Sequence, residues 1–315
     1  MRVVFMGTPE FAVASLRALV EAGVEVVAVV TATDKLGGRG GKRLLQSAVK
    51  QAALAHGLPV LQPKNLKGKR FLGELRALRA DLQVVVAFRM LPRLVWDMPP
   101  LGTVNVHGSL LPAYRGAAPI HWAVINGEER TGVTVFFLQH AIDTGDLLLQ
   151  RSLGIGPDET TGEVYERLMQ LGAETLVEAV ALIARGKTEG TPQDDALASH
   201  APKIFHADCE IDWSASAKTC HDFIRGMSPH PAAWTTLDGT ELKVLRGART
   251  AVRTVLPKGY LVPLTADQAR DGGGIGVTTA TGEVVELLEV KPAGKRTMSG
   301  ADLRNGLRLR DARPL

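Results

Sequence analysis

Short, almost unbroken apolar runs alternate with amphipathic stretches over the first 184 residues, and this alternation restricts the fold more than any other feature of the chain. Residues 3–6 form an apolar run stopped by Gly7-Thr8-Pro9, and Phe11, Leu16, Leu19 and Val20 then recur at helical spacing. Residues 24–30 are nearly continuous Val and Ala, the pattern of a strand buried on both faces. Further strands are predicted at 60–61, 82–87, 103–107, 133–138 and 147–149, and helices over 44–55, 71–78 and 164–184. Strands that alternate with helices imply an α/β fold with a mostly parallel sheet and helices on both faces.

The pattern changes after Gly186. Residues 187–203 are polar, carry two prolines and lack periodicity, so 188–203 reads as a linker. Beyond it the sequence predicts one helix over 215–226 and short strands at 233–237, 243–245, 260–264, 275–279 and 284–290. Turn signals such as Asp238-Gly239 and Thr281-Gly282 separate these strands. Short strands with regular turns suggest a small β-barrel or sandwich over 204–315. A length of 315 residues suits two such domains.

Composition removes several alternatives. Hydrophobic residues are 45% and charged residues 22%, an ordinary globular balance. No run approaches the ~20 apolar residues of a membrane span. Residues 1–7 enter an apolar strand at once and reach a glycine, so no secretory signal and a cytoplasmic setting are expected. Cys209 and Cys220, the two cysteines, are expected to be thiols in a reducing compartment. The eight histidines show no zinc spacing with them, so no metal is expected. The formal net charge is only +4, but residues 35–79 hold eleven basic residues against one acid, Glu74, while residues 188–315 balance to zero. A local excess of +10 is an electrostatic footprint for a polyanion.

Two phosphate-binding motifs fail. Gly7-Thr8-Pro9 stands where a dinucleotide-binding protein carries G-x-G-x-x-G, with proline at the second glycine and Ala12 at the third. The stretch Gly37-Gly38-Arg39-Gly40-Gly41-Lys42-Arg43 lacks the first P-loop glycine, and Arg43 replaces the Ser/Thr that binds Mg²⁺. Its three cations suit a phosphate backbone instead.

The chemistry is concentrated in Asn105-Val106-His107-Gly108-Ser109-Leu110-Leu111-Pro112-Ala113-Tyr114-Arg115-Gly116. Asn105 and His107 are two residues apart at a strand end and so point to one face. An amide there can donate to a developing oxyanion, and an imidazole can donate or move a proton near neutral pH. Asp143-Thr144-Gly145-Asp146 lies between two predicted strands and is a candidate to approach the histidine, though it also reads as a plain turn.

Asn-x-His-x-Ser-Leu-Leu-Pro-x-Tyr-Arg-Gly-Ala-Ala-Pro followed by Asp-Thr-Gly-Asp resembles the folate-dependent formyltransferases, most of all the branch that acts on methionyl-tRNA. The resemblance runs on through Gly7–Phe11, the Gly-Arg-Gly loop at 38–40, 86–88, Ile211-Asp212-Trp213, 229–234 and 291–296. It implies a Rossmann-like formyltransferase domain over 1–187 and an OB-like, tRNA-facing barrel over 204–315. It implies 10-formyltetrahydrofolate as co-substrate and the amino group of initiator methionyl-tRNA as acceptor; a monomer is expected. Asn105, His107 and Asp143 match the family's catalytic triad. Ser109, Leu110, Leu111 and Pro112 match its folate segment, and Phe88 and Arg89 fall where the pterin pocket is lined. Arg39, Lys42 and Arg43 fall in the loop used against the acceptor stem. Two other readings stay open: a UDP-amino-sugar formyltransferase, and a non-catalytic RNA-binding protein on a Rossmann scaffold.

Overall fold

The computed structural model describes residues 1–37, 43–187, 189–270 and 272–315. Its contacts divide the chain into two units that interleave along the sequence. The first comprises 1–119, 131–153 and 165–201, and the second 120–130, 154–164 and 202–315.

The first unit opens with β1 (Arg2–Gly7), α1 (Glu10–Glu21) and β2 (Glu25–Val30), then a short antiparallel pair, β3 (Lys35–Gly37) and β4 (Arg43–Leu45). There follow α2 (Ala48–Ala55), β5 (Val60–Leu61), α3 (Lys69–Ala77), β6 (Leu82–Val86), α4 (Arg93–Trp96) and β7 (Thr103–His107). After the two-residue β8 (Arg115–Gly116) comes α5 (Pro119–Ile125), which belongs from Ile120 to the second unit, and then β9 (Arg130–Phe137), β10 (Leu147–Gly154) and α6 (Thr161–Ala184), lying mostly in the first. The main sheet runs β10-β9-β7-β6-β1-β2-β5. β5, β2, β1, β6 and β7 pair in parallel, and β9 runs antiparallel to β7. The mostly parallel α/β expectation therefore holds. Its central strands are apolar because helices cover both faces: Val3, Val4, Phe5, Val84, Val86 and Val104 are all fully buried. Val85, Met6, Phe71, Leu72, Leu75 and Val95 form one of the resulting clusters.

A helix over 44–55 was expected, but helix begins only at Ala48. Leu44 and Leu45 are exposed in β4, and Ser47 caps α2 by accepting from the Lys50 amide at 3.0 Å. Residues 191–201, expected to be a bare linker, are tied into the first unit. Thr191 and Leu147 exchange both backbone hydrogen bonds at 2.8 Å, and β11 (His200–Ala201) pairs in parallel with β8.

The second unit carries α7 (Ala217–Met227) and a curled antiparallel sheet. Its strands are β12 (Ala233–Leu237), β13 (Thr240–Arg253), β14 (Tyr260–Leu264), β15 (Gly274–Thr278), β16 (Glu283–Pro292), β17 (Met298–Ser299) and, after α8 (Gly300–Leu307), β18 (Arg313–Pro314). Asp238 and Gly239, both at positive φ, make the tight turn between β12 and β13. Register shifts at Val244/Arg246 and Arg246/Gly247 bend β13 as bulges do, which curls the sheet in the manner of an OB-like half-barrel. Ile224, Met227, Leu242, Val244, Val285 and Leu287 are among its core residues. Cys209 and Cys220 lie here as free, buried thiols, and burial pushes Cys220 up to about 12. The described residues contain no helix long and apolar enough to cross a membrane.

Candidate active site

β7 sets the first two groups. Val104 and Val106 turn inward, which leaves Asn105 and His107 together on the opposite face of the strand. Asn105 is half-buried, and its side chain makes no hydrogen bond to another described residue, so its amide remains open to a ligand. His107 is 6% exposed. Its Nε2 lies 2.9 Å from the Tyr114 carbonyl, and since a carbonyl only accepts, Nε2 carries a hydrogen. Nδ1 then faces the Asp143 carboxylate at 3.7 Å, beyond a direct hydrogen bond. Asp143, a candidate from sequence to approach the histidine, thus stands across a gap from Nδ1, and the Tyr114 carbonyl holds the ring.

Asp143 arrives on the β9–β10 connection. Its φ of 55° is the left-handed region, a conformation that costs a non-glycine residue about 1 kcal/mol or more. Its Oδ2 accepts from the Gly116 amide at 2.9 Å. Gly116 has a φ of 130°, and a Cβ there would meet the Ala201 carbonyl oxygen at 2.5 Å. Gly145, two residues after Asp143, approaches the Phe137 carbonyl so closely that a Cβ would stand 1.6 Å from it. Asn105, His107 and Asp143, expected from sequence, therefore meet in one place.

The segment after His107 is internally committed. Ser109 is fully buried, and its Oγ donates to the Ala113 carbonyl at 2.6 Å. The Leu111 amide donates to Thr134 Oγ1 at 3.1 Å, and the Leu111 carbonyl accepts from Gln150 at 2.8 Å. Leu111 is buried, and Leu110 and Pro112 are half-buried. Phe88 and Arg89 lie beyond the carboxyl end of β6, the neighbour of β7. Phe88 is half-buried against the core, while exposed Arg89 lies 5.7 Å over its ring and donates to the Pro63 and Lys64 carbonyls. Among the described residues, the amides of Phe88, Arg89, Met90 and Leu91 make no backbone hydrogen bond. Of the basic-loop residues, Arg43 is exposed at the start of β4, and Arg39 and Lys42 lie outside the described residues.

An open amide, an imidazole and a carboxylate converge beside the carboxyl ends of β6 and β7, and the hydroxyl of Ser109 is already committed to the Ala113 carbonyl. Such a set suits direct transfer at a carbonyl. The formyl transferase family profile matches residues 1–180, and that of the formyl transferase C-terminal domain matches residues 203–308. The chain belongs to the formyl transferase family. A protein of Parabacteroides distasonis named methionyl-tRNA formyltransferase is 49% identical over 98% of this chain and 96% of its own length. One of the same name from Heliobacterium modesticaldum is 46% identical over 98% of each. Solved structures share the fold at low identity. The sugar 3N-formyl transferase WlaRD has a TM-score of 0.64 at 16% identity, covering 94% of this chain and 99% of that one. HypX from Aquifex aeolicus, solved with tetrahydrofolic acid, has a TM-score of 0.63 at 19% identity over 96% of this chain, which spans 47% of HypX.

Sequence reasoning missed Tyr114, which acts through its backbone carbonyl, a group identical in every residue type. It also missed Gln193 and Arg115 beside the Asp143 loop. Arg115 was quoted within the motif, but nothing in its spacing gave it a partner.

Proposed function

We propose that the protein transfers the formyl group of 10-formyltetrahydrofolate to the amino group of initiator methionyl-tRNA, giving N-formylmethionyl-tRNA. The observation that carries this reading is the meeting of Asn105, His107 and Asp143 in a family member with relatives of that name across its whole length. The proposed division of labour is catalysis in 1–187, a connection over 188–203 whose residues 191–201 dock on the first unit, and a tRNA-facing barrel in 204–315. This reading places the protein in the cytoplasm and has it act as a monomer.

The loop after β6 fits a folate head group. Its unused amides can meet the polar edge of a pterin, with half-buried Phe88 beside them. Leu110 and Pro112 offer half-buried apolar surface, whereas Ser109, its hydroxyl already used, supports the segment from beneath. When bound, the folate supplies an activated formyl carbon whose oxygen gathers negative charge as the amine adds to it. Asn105 donates its open amide N–H to that oxygen. Such a preorganised donor is worth about 3 kcal/mol of barrier. His107, held at Nε2 by Tyr114, exchanges a proton at Nδ1, the nitrogen that faces Asp143. The carboxylate of Asp143, across from Nδ1, takes part in carrying the amine proton away; the bond between the formyl carbon and N10 then breaks, and N10 takes up a proton as tetrahydrofolate leaves. Arg39, Lys42 and Arg43 contact the acceptor-stem phosphates.

The acceptor is tested by supplying 10-formyltetrahydrofolate with methionyl-tRNA, a UDP-amino sugar or neither. Formyl transfer to methionyl-tRNA alone is expected. Transfer to the sugar, or to no acceptor at all, would replace this reading by one of the two alternatives.

A further inference from the structure

The Asp143 loop is held by a side chain from outside the motif. Gln193 spends every hydrogen-bonding position of its amide on one task. Its Nε2 donates to the Asp143 carbonyl at 2.9 Å and to the Gly145 carbonyl at 2.7 Å. Its Oε1 accepts from Arg115 Nε at 3.0 Å and Nη2 at 2.7 Å. The orientation of the amide follows from chemistry, because a guanidinium only donates and carbonyls only accept. Arg115 is itself 8% exposed and reaches Asp195 at 2.8 Å. The segment carrying Gln193 is fixed on both sides: Thr191 pairs with Leu147 past the Asp143 loop, and Ser199 Oγ accepts from the Tyr114 amide at 2.9 Å.

These contacts bear on both partners of the proton-handling pair. The two carbonyls gripped by Gln193 belong to Asp143, at left-handed φ, and to Gly145, packed on Phe137. Arg115, on the other side of Gln193, lies between Tyr114, which holds His107, and Gly116, whose amide holds the Asp143 carboxylate. We infer that Gln193 is a positioning residue for the formyl-transfer reaction, one that locks the Asp143 loop onto the 114–116 segment and so fixes Asp143 against His107. The inference rests on the proposed roles of Asp143 and His107.

Gln193→Glu separates this role from a merely structural one. Glutamate keeps an oxygen for Arg115 and adds charge to that contact, but it places a second acceptor against the two loop carbonyls. The expected result is a fall in kcat of about 10–100-fold, as for a misplaced catalytic group, with both KM values within about twofold. Gln193→Met, of similar length and without hydrogen bonds, is expected to show the same fall and serves if the glutamate variant does not fold. Amide hydrogen exchange at Gly116 is expected to speed up in both variants, while the Leu147 and Thr191 amides stay protected. A glutamate or methionine variant with kcat within about twofold of wild type, or with Gly116 exchange unchanged, would overturn the inference. A wild-type protein that formylates nothing would instead sink the functional reading, and Gly116 exchange would still decide the role of Gln193.

Discussion

Asp143 sits in a conformation that L-residues avoid, and it is useful there because its carboxylate reaches a backbone amide and a histidine together. Gly116 supplies that amide from a φ only glycine adopts freely. Gly116→Ala is expected to push its Cβ into the Ala201 carbonyl, draw the amide off Asp143 and lower kcat by at least about 10-fold. Steady-state kinetics on methionyl-tRNA check this, and an alanine variant with wild-type kcat would contradict it. The pairing of Asn105 with His107 was legible in the sequence because strand alternation is local and its period is two. The approach of Asp143 was only suggested, since the fold of a long connection is set by contacts distant in sequence. Gln193 was illegible for a further reason: Thr-Pro-Gln-Asp-Asp is polar and aperiodic, and a linker has the same composition as a segment that docks through hydrogen bonds.

Elements were read best where burial is two-sided. The runs that became β1, β2 and β6 are almost wholly apolar and buried on both faces, and β7 keeps that pattern on one face, at Val104 and Val106. Boundaries set by single polar groups were harder. The helical spacing over 44–55 ignored Ser47, whose hydroxyl meets the Thr31 hydroxyl at 2.7 Å and caps α2. Ser47→Ala is expected to cost about 1 kcal/mol, as measured by urea denaturation, and no loss would mean the cap is idle. Helix α8 was missed because Gly300 and Gly306 weaken its propensity, although Ser299, which accepts from the Asp302 amide at 3.0 Å, marks its start. In the second unit the turns were legible and the strand lengths were not. The short strand expected at 243–245 is part of the 14-residue β13, whose bulges interrupt the alternation that sequence patterns rely on.

At the scale of the whole molecule, charge and titration give two further expectations. Of the basic residues between 35 and 79, Lys35, Arg43, Lys64, Lys67, Lys69, Arg76 and Arg79 are exposed, whereas Lys50 is tied to Asp34 at 2.5 Å and holds that carboxyl below its usual range. Affinity for methionyl-tRNA is therefore expected to fall linearly with salt on a log–log scale, and Arg43→Ala to flatten the slope by about one. A salt-independent affinity would remove the phosphate-contact role. In the second unit, burial holds His121 and His221 below the ordinary imidazole value of 6.5, despite the His230 carbonyl beside one and Asp158 beside the other. The unfolded chain then takes up more protons than the folded one once the pH drops below 6.5, so stability is fully present above that pH and is lost progressively as the pH falls below it. Thermal midpoints across that range should decline, and a flat profile would show that neither imidazole is perturbed.

The central claim is that Asn105, His107 and Asp143 act together on a formyl group. Single-turnover transfer from 10-formyltetrahydrofolate to methionyl-tRNA, compared between the wild type and folded His107→Ala and Asp143→Ala variants, tests it most directly. Wild-type transfer with a loss of about 10²–10⁴-fold in each variant is the result expected. Near-wild-type transfer by either variant would contradict the account.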